Sequence, residues 1–256
     1  CFKRGDKAIF DIEKIRQSVY RPFSRRWFYS DSMFIEGVYQ NPKIFPTPDT
    51  ENKLICVSGV GVKKEFSCII TDRTTDVQLM SNGQCFPIYW YENKAGERGK
   101  NKLQCPTEDS VDVVKHDGIS DYALNLAREK YGSDVIKEDI FYYVYGYLHS
   151  PDYRKLFSDD LKLSLPRIDF VSNPDDFFAF SNAGRELANL HLNYENLAPP
   201  DTLTISGIPS IDEALSNPKL CRVNKMKLIP EERKLIYNQY ITIENIPEEA
   251  FEYVAN

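Results

Sequence analysis

The chain has 256 residues, of which 42% are hydrophobic and 13% aromatic: enough apolar material for one large domain or two small ones, and too much for a disordered polymer. Its net charge of −6 sets it apart from strongly basic nucleic-acid binders, yet the charge is uneven. Residues 1–105 hold 17 Lys and Arg against 12 Asp and Glu, while residues 106–256 hold 15 against 26.

No apolar run reaches the roughly 18 residues that a membrane span needs, and the opening CFKRGDKAIF lacks the apolar core of a signal peptide. The chain does not begin with Met and is read as a piece of a longer polypeptide. Six cysteines (Cys1, Cys56, Cys68, Cys85, Cys105, Cys221) are scattered without a C-x-x-C pair, so they read as reduced, mostly buried thiols rather than zinc ligands.

In chain order, residues 6–19 begin as a short strand and are expected to turn helical. Residues 20–29 follow as a loop running into a strand, because Pro22 forces an extended residue before it. Asn41-Pro42, Pro46 and Pro48 mark a break. Three strands are expected at 53–58, 66–71 and 86–91, with Gly59-Val60-Gly61 as a turn. Residues 93–110, with Gly96, Gly99, Pro106 and many charges, read as a surface loop.

The middle of the chain is expected to be helical. Ser120 caps a helix that stops at Tyr131-Gly132. Asp139 opens another over 140–148, Ser150-Pro151 breaks it, and Ser150 caps a restart through Phe157. Residues 164–168 are extended. Asn173-Pro174 caps a last long helix to Leu192. Residues 203–208 and 220–243 return to short strands.

Few residues announce a chemistry. There is no P-loop, and Gly59-Val60-Gly61 lacks the third glycine of a dinucleotide fingerprint. There is no G-x-S-x-G or H-E-x-x-H. An adenine amino-methyltransferase needs an N/D-P-P-Y/F loop to hold the target amine, and the three Asn-Pro pairs continue with Lys, Asp and Lys. His116, His149 and His191 are isolated, and His149 reads as a helix-end residue bonded to backbone. The pairs Asp159-Asp160 and Asp175-Asp176 read as caps or solvated faces.

Positive signals lie in the basic first half. Arg21, Arg25 and Arg26 cluster around Phe23 and Trp27. Lys63 and Lys64 sit in an expected hairpin turn. Arg73-Thr74-Thr75 follows a strand, and Ser81-Asn82-Gly83-Gln84 precedes another. Arg and Lys neutralise phosphates, while Asn, Gln, Thr and Ser can bond base edges.

Several segments together resemble a known family. Tyr20-Arg21-Pro22-Phe23-x-Arg25, Phe66–Asp72, Phe86–Tyr91, Tyr145-Gly146-Tyr147-Leu148-His149-Ser150-Pro151-x-Tyr153-Arg154, Leu165-Pro166-Arg167-Ile168 and Ile246–Tyr253 are similar, in this order, to motifs of the C-terminal specificity region of type ISP restriction–modification enzymes. Ser24 stands where the family usually has an acid. Those enzymes are long single polypeptides with a nuclease, a helicase-like motor, an adenine-N6 methyltransferase and a target-recognition region. Gly146 reads as a close-packing position on an aromatic helix, and Arg167 is expected to pair with a carboxylate inside the module.

The expected fold is α+β: a strand-rich, basic segment 1–110, packed with a mainly helical, acidic segment 111–256 that ends in short strands. The resemblance implies a DNA target-recognition region, not catalytic on its own, that positions double-stranded DNA for adenine-N6 methylation and restriction by other domains. The competing reading is a docking module between methyltransferase and helicase domains, without base readout.

Candidate phosphate contacts are Arg21, Arg25, Arg26, Lys63, Lys64 and Arg73. Candidate base contacts are Thr74, Thr75, Ser81, Asn82 and Gln84. No cofactor is expected in this piece. The parent is expected to use S-adenosylmethionine, ATP and Mg2+, in the cytoplasm.

Overall fold

The computed structural model describes residues 9–31, 33–35, 37, 39–93, 113–253 and 255. The fold is α+β, and the chain divides into two compact units: residues 1–194 with 255–256, and Glu195–Val254. The charge change at residues 105–106, and all but the first residue of the expected loop 93–110, lie outside the described residues.

The first unit opens with a hairpin. β1 (Ile15–Arg21) and β2 (Ser24–Tyr29) pair antiparallel around a Pro22-Phe23 turn, with Phe23 at φ 54°. Pro22 sets the entry torsion and Phe23 takes the left-handed position that closes a two-residue loop. The expected helical turn within 6–19 is a correction. Among the described residues of that span only Ile12–Lys14 is helical, as one 3-10 turn capped by Asp11, and β1 takes over at Ile15. The alternation in IRQSVYR is that of a strand, and its pairing with β2 outweighs the helical propensity of the residues before it.

A short helix α1 (Asn41–Ile44) leads to the central strand β3 (Leu54–Val57). β3 lies between β4 (Cys68–Thr71) and β6 (Gln84–Pro87), antiparallel to both. All four residues of β3 and all four of β4 are buried, which explains their continuous apolar run. β5 (Thr74–Thr75) pairs parallel with β1, giving a second sheet of order β2-β1-β5.

The single strand expected at 86–91 is two. β6 ends at Pro87, which lacks an N–H to continue a ladder, and β7 (Tyr89–Asn93) pairs instead with β8 (Val113–Asp117) as a separate ribbon.

The helical layer comprises α2 (Asp121–Tyr131), α3 (Lys137–Leu148), α4 (Pro151–Leu156), α5 (Asp160–Leu163) and α6 (Pro174–Leu192). Its caps follow the sequence. The Ser120, Ser150 and Asn173 side chains accept from the N–H groups of Ala123, Tyr153 and Asp175, and Gly132 ends α2 at φ 116°. α3 starts earlier than expected: Asp139 is its third residue, and its carboxylate accepts from the Ile136 N–H at 3.0 Å.

α3 packs on α6 through facing glycines. A Cβ on Gly146 would sit 2.3 Å from the Phe180 carbonyl oxygen, and one on Gly184 would sit 2.0 Å from that of Tyr142. Tyr145 and Tyr143 are fully buried on α3, and Phe177 on α6. The Tyr143 hydroxyl donates to the Asp169 carbonyl at 2.6 Å and accepts from the Val171 N–H at 3.2 Å. The Tyr153 hydroxyl donates to the Arg167 carbonyl at 3.1 Å. These bonds pin the extended segment 164–171.

The expected Arg167–carboxylate pair does not form among the described residues. The Arg167 side chain is exposed, and its backbone carbonyl is what the core uses.

The second unit holds a sheet of order β10-β11-β12-β9, built from β9 (Thr204–Ser206), β10 (Lys227–Ile229), β11 (Lys234–Ile236) and β12 (Thr242–Glu244), with α7 (Ile211–Ser216) between β9 and β10. Buried Asn238 organises it: its amide donates to the Leu220 carbonyl at 2.8 Å, and its oxygen accepts from the Tyr240 and Ile241 N–H groups.

Candidate nucleic-acid interface

The candidate residues fall into two groups. The first surrounds the β2-β1-β5 sheet. Register sets Arg26 opposite Ser18, and Ser18 opposite Thr74. Opposed residues share a sheet face, so the three form one row of roughly 10 Å across three strands. This row borders a cavity of about 310 Å³ that Arg16, Tyr20, Thr75 and Asp76 also line.

Arg26 is exposed, with no partner in the described hydrogen bonds or ion pairs. The sequence reading missed Ser18, Arg16 and Tyr20. Their signal was the period-2 alternation within residues 15–21, which an expected helix hides.

The other arginines of this group already have partners within the domain. Arg21 bonds Asp76 at 3.1 Å and lies over the Tyr20 ring. Arg25 donates to the Leu192 carbonyl at 2.6 Å, at the end of α6, and lies over the Tyr194 ring. A cation there satisfies a helix-terminal carbonyl and meets the negative end of the dipole. Arg73 bonds Gln17 at 3.2 Å and Asp72 at 2.9 Å.

The second group lies at one end of β3. Val57 pairs with Cys68 and with Gln84, so the β3–β4 connection and the turn before β6 emerge together. Lys63 and Lys64 are exposed in the first, and Asn82 and Gln84 are exposed in the second. Asn82 has φ 48°. The two segments touch: the Gly59 N–H donates to the Ser81 carbonyl at 2.9 Å, and a Cβ on Gly59 would fall 1.8 Å from the Asn82 carbonyl oxygen. Gly59 thus serves this close approach beside the turn that the sequence suggested.

A partly buried aromatic–histidine cluster around buried Tyr145 fixes the hairpin to the helices. The Tyr145 hydroxyl accepts from the Ile70 N–H at 3.1 Å and is hydrogen-bonded with His191 Nδ1 at 2.5 Å. Phe23 meets the His191 ring edge-on at 5.3 Å. His149 Nδ1 bonds the Tyr145 carbonyl at 2.8 Å, as expected of a helix-end histidine. Burial lowers both histidines to a pKa of about 4, so both are neutral near pH 7.

Cys56 and Cys68 are buried, Cys85 is half-buried, Cys221 is exposed, and all four are free. Among the described residues, no group of His, Cys, Asp and Glu could hold a metal ion, and no helix is long and apolar enough to cross a membrane.

The whole chain, residues 1–256, matches the type ISP C-terminal specificity domain. It belongs to that family. Solved structures similar to it include the following three. A nuclease-deletion mutant of the type ISP restriction–modification enzyme LlaGI, in complex with a DNA substrate mimic, has a TM-score of 0.70 and 32% identity over 99% of this chain and 20% of that one. The ATP-dependent type ISP enzyme LlaBIII bound to DNA has a TM-score of 0.75 and 31% identity over 100% of this chain and 15% of that one. The DrdV–DNA complex has a TM-score of 0.78 and 29% identity over 99% of this chain and 24% of that one.

This specificity domain therefore spans a quarter or less of each of those chains. No curated protein sequence matches it.

Proposed function

We propose that this specificity domain recognises a DNA target within a longer restriction–modification polypeptide. The match of its full length to the specificity-domain family carries the reading. Similarity to three enzymes solved with DNA or a DNA mimic supports it. In this reading the domain grips duplex DNA and reads base edges, while other domains in the same cytoplasmic polypeptide perform adenine-N6 methylation and restriction. S-adenosylmethionine, ATP and Mg2+ would serve those other domains.

Existing partners divide the roles of the candidates. Arg26, Lys63 and Lys64 present cations to solvent and are the phosphate contacts of choice. Thr74 beside Ser18, and Asn82 with Gln84, offer short polar side chains for base edges. Arg21, Arg25 and Arg73 hold the scaffold on which these groups sit, through Asp76, the Leu192 carbonyl and Asp72. Phosphate contacts fix register, and base contacts choose sequence, so both groups are needed for a specific complex.

The test is fluorescence anisotropy of the chain with mixed-sequence duplex DNA across a salt series. Affinity that falls linearly with the logarithm of salt supports phosphate contacts here. Absence of binding at low salt would overturn the reading for this chain alone and favour a docking role.

A further inference from the structure

An apolar groove runs along the start of the first unit. Phe10, Ile15, Trp27, Phe28, Phe34 and Ile35 line a cavity of about 820 Å³. Trp27 is 69% exposed, Phe10 70% and Phe34 48%. Apolar side chains gathered this densely and left in water mark an interaction surface, whereas single exposed ones do not.

The groove has a built shape. The Tyr29 ring stacks on Phe10 at 5.8 Å and meets Phe34 edge-on at 5.7 Å. The Tyr29 hydroxyl accepts from the Asp11 N–H at 2.9 Å, and Lys14 bridges to Asp31 at 2.7 Å. β2 is an edge strand, so its outer backbone side has no strand partner among the described residues. An open edge beside apolar pockets suits a strand-like segment, with backbone bonds for affinity and pockets for alternate side chains.

We propose that this groove seats an extended apolar segment from another domain of the same polypeptide. The length of the related chains selects that occupant. The whole of this chain aligns within 15–24% of each, so most of such a polypeptide lies outside the domain and is tethered to it. Tethering makes docking intramolecular, at an effective concentration that a free partner does not reach. The seat fixes the orientation of the hairpin that carries Arg26, and it does not depend on DNA being bound.

Hydroxyl-radical footprinting read by mass spectrometry, without DNA, tests this on the chain alone and on the longer polypeptide that contains it. Labelling of Trp27, Phe10 and Phe34 is expected to be high in the chain alone and to fall several-fold in the longer polypeptide. Trp90, 36% exposed on the β7–β8 ribbon, is expected to stay unchanged as the internal reference. Equal labelling in both proteins would overturn the proposal. So would low labelling in the chain alone: if dilution raises it, a second copy fills the groove, and if dilution does not, residues of this chain cover it. DNA binding can fail while this result stands, and the reverse also holds.

Discussion

The α3–α6 pair and the β2-β1-β5 sheet are both rich in aromatic residues, and they use them in opposite ways. On α3 and α6, Tyr143, Tyr145 and Phe177 are fully buried. The Tyr143 and Tyr145 hydroxyls each have hydrogen-bond partners. On β2, Trp27 stands in solvent beside exposed Arg26, which has no partner among the described residues. The difference separates packed scaffold from open surface in this module. The motif-rich helices form a closely packed scaffold, and the sheet keeps open surface. Buried hydroxyls that are hydrogen-bonded, as on Tyr143 and Tyr145, help to specify one packing, whereas exposed cations and apolar faces remain available for partners.

The largest expected effect comes from breaking the scaffold. Gly184→Val forces a side chain into the Tyr142 carbonyl and is expected to cost about 3 kcal/mol or more, read as a lower denaturation midpoint. A variant as stable as wild type would mean that the helices can separate without loss.

Acid comes next. His149 and His191 have pKa values of about 4 in the folded state, below the usual 6.5. The unfolded chain therefore binds more protons between those values, so the stability they contribute is complete above pH 6.5 and is lost as pH falls towards 4. His149 alone accounts for on the order of 2–3 kcal/mol. Urea melts from pH 7 to 4 are expected to show this slope, and His149→Gln is expected to flatten it.

Tyr143→Phe removes both hydrogen bonds to the 169–171 segment, from the Val171 N–H and to the Asp169 carbonyl, at a cost of about 1–3 kcal/mol. Protease cleavage within 164–171 is expected to quicken.

On the sheet the expectation reverses. Arg26→Glu is expected to change stability by no more than about 0.5 kcal/mol. It is also expected to weaken DNA binding and to lower the salt slope by about 0.9 for each phosphate that the side chain no longer neutralises. The paired change Lys63→Ala and Lys64→Ala is expected to act in the same direction, with a smaller effect, because neutralisation removes attraction without adding repulsion. Arg25→Ala provides the contrast: it is expected to lower the melting temperature, since the Leu192 carbonyl loses its donor. If Arg25→Ala left stability intact and abolished DNA binding, the division between scaffold and surface would fail.

Much of the scaffold was legible because its signals are local. Ser120, Ser150 and Asn173 cap helices as their side-chain chemistry dictates, Gly132 stops one, and the apolar runs at 54–57 and 68–71 are buried strands. Gly146 was readable as a close-packing residue, although its partner Gly184 was not. The ordered motifs also sufficed for the family.

The candidate interface was less legible. The cluster of Arg21, Arg25 and Arg26 was visible in the sequence, but three neighbouring arginines look alike until their surroundings are known. Only the fold decided that Arg21 meets Asp76, Arg25 meets the end of a helix 167 residues away, and Arg26 meets solvent.

By itself, then, the sequence determined the family, the α+β class and the caps at Ser120, Ser150 and Asn173, because caps, turns and hydrophobic periods act over a few residues. The tertiary structure alone decided that residues 86–91 divide between two sheets, that Ser18 aligns with Arg26 and Thr74, and that Arg167 offers its carbonyl rather than its charge. Strand pairing and side-chain exposure depend on residues far apart in the chain, and no local pattern encodes which of them will meet.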